Sequence, residues 1–221
     1  MPFSQVIDAV IFDMDGVIVN SEPLHEAAFH DIFETMGFGD GRHGIEFSQY
    51  YGKSDRTLWL DFIEKHHPPQ PLEELLAWKQ NHLLELLRAR QPIFDAIPAL
   101  VCSVAQRYPL AVASGSNHAV INEVLAMRDL RRHFRAVASV EDVGRTKPFP
   151  DVFLRAATLL GVDPARCVAI EDSAAGVQSA RDAGMRVIAI TNTLPAERLA
   201  HATRVVRHYD EIAHLLGCAT R

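Results

Sequence analysis

Val10-Ile11-Phe12-Asp13-Met14-Asp15-Gly16-Val17 is the stretch on which the reading of this chain turns. The run from Val6 to Phe12 is apolar apart from Asp8 and reads as a buried strand, which delivers two carboxylates and then a glycine. Two acids two positions apart at a buried strand end repel each other and lose hydration. That cost points to a cation between them, or to a carboxylate that does chemistry. The plain alternative is a strand followed by an acidic turn.

Three further segments have the same form, an apolar strand running into polar residues or a helix start. Leu110-Ala111-Val112-Ala113 runs into Ser114-Gly115-Ser116-Asn117, where a hydroxyl and small residues let backbone N–H groups face an anion. Val168-Ala169-Ile170 ends in Glu171-Asp172-Ser173, a second acidic pair. Between them, Lys147 stands in Thr146-Lys147-Pro148-Phe149-Pro150-Asp151, where two prolines fix the backbone before a helix. Alone, Ser114 reads as a helix cap and Lys147 as a solvated surface charge. In an open α/β sheet, however, the carboxyl ends of neighbouring strands converge on one crevice. Four acids, a hydroxyl and a lysine gathered there make a site for Mg²⁺ and a phosphoryl group.

The spacing of these segments is uneven. Asp13 and Ser114 stand 101 positions apart, far more than one crossover needs, so a subdomain is inserted after the first strand. Within it Leu24, Ala27, Ala28, Ile32, Phe33 and Met36 recur at helical spacing up to Gly37. Leu58, Leu60, Phe62 and Ile63 mark another helix before Pro68-Pro69. Leu72, Leu75, Leu76, Leu83, Leu84, Leu86 and Leu87 mark one or two more before Pro92. After Pro92 helices and strands alternate: helices 96–107, 117–127, 151–160, 174–183 and 210–216, and strands 110–113, 136–139, 168–170, 187–190 and 205–206. The expected fold is α/β: a doubly wound, mostly parallel, Rossmann-like sheet built from 1–18 and 93–221, with a helical-bundle cap domain inserted over 19–92.

Hydrophobic residues make up 48% of the 221, and the formal charge is −6. That balance offers no basic footprint for nucleic acid. No apolar run reaches the roughly 18 residues of a spanning helix, and Asp8 breaks the one signal-like segment. The expectation is a cytoplasmic protein with neither a membrane nor a nucleic-acid partner, a monomer with a dimer as the alternative. Cys102, Cys167 and Cys218 are odd in number and widely spaced, and read as reduced, buried thiols.

Taken together, Asp13-Met14-Asp15-Gly16-Val17, Ser114-Gly115-Ser116, Lys147-Pro148-Phe149-Pro150-Asp151 and Ile170-Glu171-Asp172-Ser173-Ala174-Ala175-Gly176 resemble the haloacid dehalogenase superfamily. The resemblance is to its phosphatase and phosphomutase branch, which has a small helical cap, and it spans about residues 6 to 216. It implies that Asp13 is a nucleophile forming an aspartyl phosphate and Asp15 the general acid/base. It implies Mg²⁺ held by Asp13, the backbone carbonyl of Asp15 and Asp172, with Glu171 beside it. Ser114, Gly115 and Lys147 then hold the phosphate.

In the cap, the resemblance offers His25, the loop Gly52-Lys53-Ser54-Asp55-Arg56, and Lys79 as substrate residues. A helix-surface histidine and a solvated lysine are the alternatives for His25 and Lys79, and the remaining histidines read as surface residues. The chain departs from the pattern at Asn20, where an aspartate is usual, at Ile93-Phe94-Asp95, and at Asp55, where the mutases carry a basic residue. The implied activity is a Mg²⁺-dependent phosphatase acting on a small phosphorylated metabolite, a sugar or polyol phosphate. A β-phosphoglucomutase-like phosphomutase is the runner-up. A phosphonatase using Lys53 and a non-catalytic binding protein are the remaining alternatives.

Overall fold

The computed structural model describes residues 6–50 and 54–218. In chain order its elements are β1 (Ala9–Phe12), α1 (Glu22–Thr35), α2 (Asp55–His66), α3 (Leu72–Arg90) and α4 (Ile97–Ala105). There follow β2 (Leu110–Ala113), α5 (His118–Ala126), β3 (Phe134–Ala138), α6 (Asp151–Leu160) and β4 (Cys167–Glu171). Last come α7 (Ala174–Asp182), β5 (Arg186–Ile190), β6 (Arg204–Val206) and α8 (Tyr209–Leu215). The chain divides into two compact units, Met1–Asn20 with Pro92–Arg221, and Ser21–Gln91.

The first unit is a six-stranded sheet in the order β3-β2-β1-β4-β5-β6, and every pairing is parallel. Strands β1, β2 and β4 are buried at every residue, as befits parallel strands covered on both faces by helices. Phe12 lies opposite Val112 on one side and Ile170 on the other. The next residues along β1 and its neighbours are therefore brought together at one sheet end. Because the chain passes from β1 to β2 on one side and reaches β4 on the other, that end is the switch point where a crevice opens.

Strand β1 starts later than the apolar run suggests. Val6 is exposed, and Asp8 pairs with Arg166 at 2.7 Å, so the buried ladder begins beyond that ion pair. Strand β3 starts earlier, at Phe134; as an edge strand it alternates buried and exposed residues and lacks a continuous apolar run. Where the chain leaves and re-enters this unit, Val19 and Ile93 form an antiparallel bridge, and the Asn20 N–H donates to the Pro92 carbonyl at 2.9 Å.

The second unit is helical: α1, α2 and the single long α3. Phe29, Ile32, Phe33, Leu58, Trp59, Phe62 and Leu75 form its core. Two sequence expectations fail, one in each unit. His43 is buried, its ring stacked 4.8 Å from Phe33, and His66 Nε2 donates to the His43 carbonyl at 2.8 Å while its ring packs on Phe38 and Phe62. An imidazole has enough apolar surface to join an aromatic core once its nitrogens find partners. In the sheet unit, Cys102 is exposed and Cys218 half-buried, so only Cys167 is the buried thiol expected. Cys102 follows the buried Val101 on α4 and so falls on the solvent side of that helix. No described helix is long and apolar enough to cross a membrane.

Candidate active site

Asp13 leaves the end of β1 with its N–H bonded to the Ile170 carbonyl at 2.9 Å, and it is almost fully buried. Burial pushes its carboxyl up to about 8; Lys147 pulls against this, while Glu171 and Asp15 add to it. The turn that follows returns on itself through the Gly16 N–H to the Val19 carbonyl at 2.8 Å. Gly16 has φ +78°, and a side chain there would run into the Asp172 carboxylate and the Thr193 hydroxyl. This glycine is required twice, by backbone geometry and by its neighbours.

Lys147 joins the two acidic strand ends. Its Nζ donates to Asp13 Oδ1 at 2.6 Å and to Glu171 Oε1 at 2.7 Å, and it lies 4.9 Å from the centre of the Phe153 ring. Burial alone would lower its pKa; the two carboxylates outweigh that and raise it, so the ammonium stays charged. The alternative of a solvated surface charge is thus excluded. Glu171 is fully buried, and its other oxygen accepts from the Asp172 N–H at 2.9 Å and from the Ser173 N–H and hydroxyl at 3.0 Å. A Cβ at Gly176 would occupy the space of the Glu171 carboxylate, so the first turn of α7 is cut away to admit it.

Asp172 is buried beside this pair and accepts a short hydrogen bond from Thr193 Oγ1. Its carboxyl is held well above the usual range by burial, with Glu171 and Asp13 adding to the effect. One carboxylate oxygen from each of Asp13, Glu171 and Asp172 lies within 4.8 Å of the others. Three hard oxygen donors this close suit a divalent cation such as Mg²⁺. Within the trio, Glu171 already accepts four hydrogen bonds, so Asp13 and Asp172 are the carboxylates best able to hold an ion. Asp15 is not in this group: its Oδ2 accepts from Ser116 Oγ at 2.9 Å, with Ser114 Oγ at 3.4 Å.

Ser114 is fully buried at the end of β2, with its N–H on the Ala138 carbonyl at 3.0 Å. Its hydroxyl accepts from the Ser116 N–H at 3.0 Å, and Ser139 Oγ donates to the Ser116 carbonyl at 2.8 Å, which ties the loop to β3. Gly115 is exposed, with open space where a side chain would stand. The sheet therefore brings together Asp13, Asp15, Ser114, Lys147, Glu171 and Asp172 as the motifs anticipate. Ser116, Thr193 and the group around Gly16 escaped the sequence reading. Asn192 Nδ2 donates to the Gly16 carbonyl at 2.7 Å, and the Tyr209 hydroxyl donates to the Val17 carbonyl at 2.7 Å. The available signal was Thr191-Asn192-Thr193, polar residues at yet another parallel strand end, that of β5.

In the helical unit, the structure decides between the two readings of the Lys79 environment. Its side chain is fully buried, with Nζ 2.7 Å from Asp55 Oδ2, 2.6 Å from His25 Nδ1 and 4.9 Å from the Phe29 ring centre. A buried ammonium needs such partners, and the solvated-lysine reading fails. Burial pushes the Asp55 carboxyl up, but the hydrogen bond from His25 and the charge of Lys79 outweigh it and hold the group below the usual carboxylate range. Arg56 is half-exposed and pairs with Glu73 at 2.8 Å. Ser54 is exposed, its hydroxyl 3.1 Å from that of Thr57. Gly52 and Lys53 lie outside the described residues.

Comparison with known proteins agrees with this geometry. Residues 7–184 match the sequence model of the haloacid dehalogenase-like hydrolases. Hexitol phosphatase B of Escherichia coli K12 is 33% identical over 184 residues, covering 82% of each chain. The fructose-1-phosphate phosphatase YqaB of the same organism is 32% identical over 185 residues, covering 81% of this chain and 94% of the relative. The crystal structure of CbbY from Rhodobacter sphaeroides in complex with xylulose-(1,5)bisphosphate superposes with a TM-score of 0.79 at 25% identity, covering 93% of this chain and 96% of that one.

Proposed function

The chain belongs to the haloacid dehalogenase-like hydrolases, and we propose that it is a phosphatase that hydrolyses a sugar or polyol phosphate through an aspartyl-phosphate intermediate, with Mg²⁺ as its cofactor. The observation that carries this reading is the partly buried contact of Lys147 with Asp13, 2.6 Å, one of three clustered carboxylates. An aspartate that attacks a phosphate dianion meets severe repulsion unless cations flank it. Bound by Asp13 and Asp172, Mg²⁺ supplies charge neutralisation of the phosphate oxygens.

The residues divide the work as follows. A carboxylate oxygen of Asp13 forms a bond to phosphorus as the bond from phosphorus to the leaving oxygen breaks. Asp15 gives its proton to that oxygen, releasing the alcohol, and then takes a proton from water as the water attacks phosphorus and the acyl phosphate opens. The products are the alcohol and inorganic phosphate, and Asp13 and Asp15 return to their starting states. Ser116, on Asp15 Oδ2, orients the acid/base. Ser114 and the N–H groups of the Gly115 loop bind the phosphate oxygens together with Lys147. His25, Lys79 and the segment from Gly52 to Arg56 choose the leaving group.

The phosphomutase reading shares every step except the last, where a second sugar hydroxyl replaces water; the buried His25–Lys79 pair favours it, and the acidic Asp55 beside that pair opposes it. Assay with p-nitrophenyl phosphate and a panel of sugar and polyol phosphates, in Mg²⁺ and in chelator, tests the proposal. Phosphate release that depends on Mg²⁺ is expected. Conversion of β-glucose 1-phosphate to glucose 6-phosphate faster than phosphate release moves the assignment to a mutase.

A further inference from the structure

The turn that carries Asp15 is held by side chains from two other elements of the sheet unit. Within the turn, the N–H groups of Val17, Ile18 and Val19 converge on the Met14 carbonyl at 3.2, 2.8 and 3.1 Å, which fixes the peptide before Asp15. The carbonyls after Asp15 are met by side chains instead. Asn192, just past β5, donates from Nδ2 to the Gly16 carbonyl at 2.7 Å and to the Tyr209 hydroxyl at 2.8 Å. That hydroxyl, on the first residue of α8, donates in turn to the Val17 carbonyl at 2.7 Å. An amide has two N–H donors and a phenol one O–H, so these three bonds use every donor of the pair. A hydroxyl that accepts one hydrogen bond also donates a stronger one. Burial pushes the Tyr209 hydroxyl up, against the pull of Asn192 and with help from the Asp172 charge, so it keeps its proton and stays a donor. The Tyr209 ring packs against Phe94, 5.9 Å between centres, and the Phe94 N–H bonds the Ile18 carbonyl at 3.2 Å. Elsewhere the turn abuts Asp172 and Thr193, which a side chain at Gly16 would strike.

We propose that Tyr209 is a positioning residue for Asp15: with Asn192 it anchors the turn behind the acid/base, so that the Asp15 carboxyl stands where the leaving oxygen needs its proton. The proposal rests on the phosphatase reading above. It gives β5 and α8 a part in the acid step. Tyr209 acts through the backbone of the turn, whereas Ser116 bonds the carboxylate itself at 2.9 Å.

Leaving-group chemistry separates this role from a merely structural one. Phenoxide is a strong base and needs the Asp15 proton as it departs; p-nitrophenoxide is a weak base and leaves without it. The measurement is kcat/KM, which covers only the steps up to release of the alcohol. Tyr209→Phe should lower it about tenfold for phenyl phosphate, a part of the roughly 10²–10⁴ that such a proton supplies. For p-nitrophenyl phosphate it should change little. Phenylalanine keeps the ring against Phe94 and removes only the hydroxyl, and the ratio of the two values does not depend on how much of the protein is folded. Asn192→Ala, at an exposed side chain, is the second variant and should show the same selective loss more weakly. Asp15→Asn should show it most strongly. Equal losses for the two substrates in Tyr209→Phe, or no loss with phenyl phosphate, overturn the proposal. An Asp15→Asn variant that lowers both alike removes the acid role of Asp15, and wild-type protein that hydrolyses neither substrate removes the phosphatase reading; the proposal falls with either.

Discussion

Lys147 Nζ stands 2.6 Å from Asp13 Oδ1, so a cation held by residues before α6 touches the carboxylate at the end of β1. It also binds Glu171 Oε1 at 2.7 Å, and Glu171 is in turn fixed by backbone N–H groups at the start of α7. The ammonium is thus positioned from two sides before any phosphate arrives. Lys147→Ala should lower kcat by on the order of 10²–10³, and Lys147→Arg should not rescue it, since a planar fork does not replace a point charge between two fixed oxygens. Steady-state kinetics at saturating Mg²⁺ decides this.

Metal and proton compete for the same buried carboxylates. In the metal-free protein the Asp13 carboxyl lies at about 8 through burial, against an unperturbed 3.8. Between those values the folded chain binds more protons than the unfolded chain, so this group makes stability fall as pH rises through that window. Mg²⁺ requires the ionised form and should therefore raise the melting temperature more at pH 8 than at pH 5. In Asp13→Asn, the difference between the two pH values should shrink. Equal Mg²⁺ increments at both pH values in the wild-type protein would contradict the assignment of the site.

Thr193 donates to Asp172 from the end of β5. If Asp172 is a metal ligand, Thr193 sets its orientation, and such partners are worth about 10–100-fold in metal affinity. Thr193→Val should raise the Mg²⁺ concentration for half-maximal activity by that factor while kcat at saturating Mg²⁺ changes little. A Mg²⁺ titration identical to wild type would show that the hydroxyl plays no such part.

Burial predicts an asymmetry in the helical unit. Asp55→Ala leaves the fully buried Lys79 ammonium without its carboxylate, which should cost about 3–5 kcal/mol. Lys79→Met instead leaves Asp55, which solvent still reaches, and fills the space beside Phe29 with apolar atoms, so it should cost clearly less. Urea unfolding of the two variants compares them directly. A larger loss for Lys79→Met would contradict the placement of the charge.

Much of this site was legible in the sequence because parallel strands impose a simple rule: polar residues at strand ends meet. Asp13, Ser114 and Asp172 each follow an apolar run, and the 101-residue gap announced the inserted helices. Lys147 follows no strand, and only its place among the motifs suggested a role. Thr193 was missed because a threonine after a strand has no distinctive chemistry until a neighbour supplies it. For Lys79 the solvated-lysine alternative stayed open for a related reason. One helical turn does not reveal whether a lysine points out or in; that depends on Asp55 and His25, which lie 24 and 54 positions away in sequence. Edge strand β3 and the approach to β1, Val6 to Asp8, were blurred because burial there is partial, so the apolar pattern has no sharp boundary.

The central claim is that Asp13 attacks phosphorus. Rapid acid quench of a single turnover with a sugar or polyol phosphate, followed by peptide mass spectrometry, reads the covalent state of that residue directly. A phosphoryl group on Asp13 during turnover, absent in an inactive Asp13→Asn variant of wild-type fold, is the predicted result. Turnover with no phosphoryl group on Asp13, or wild-type activity in Asp13→Asn, would contradict it.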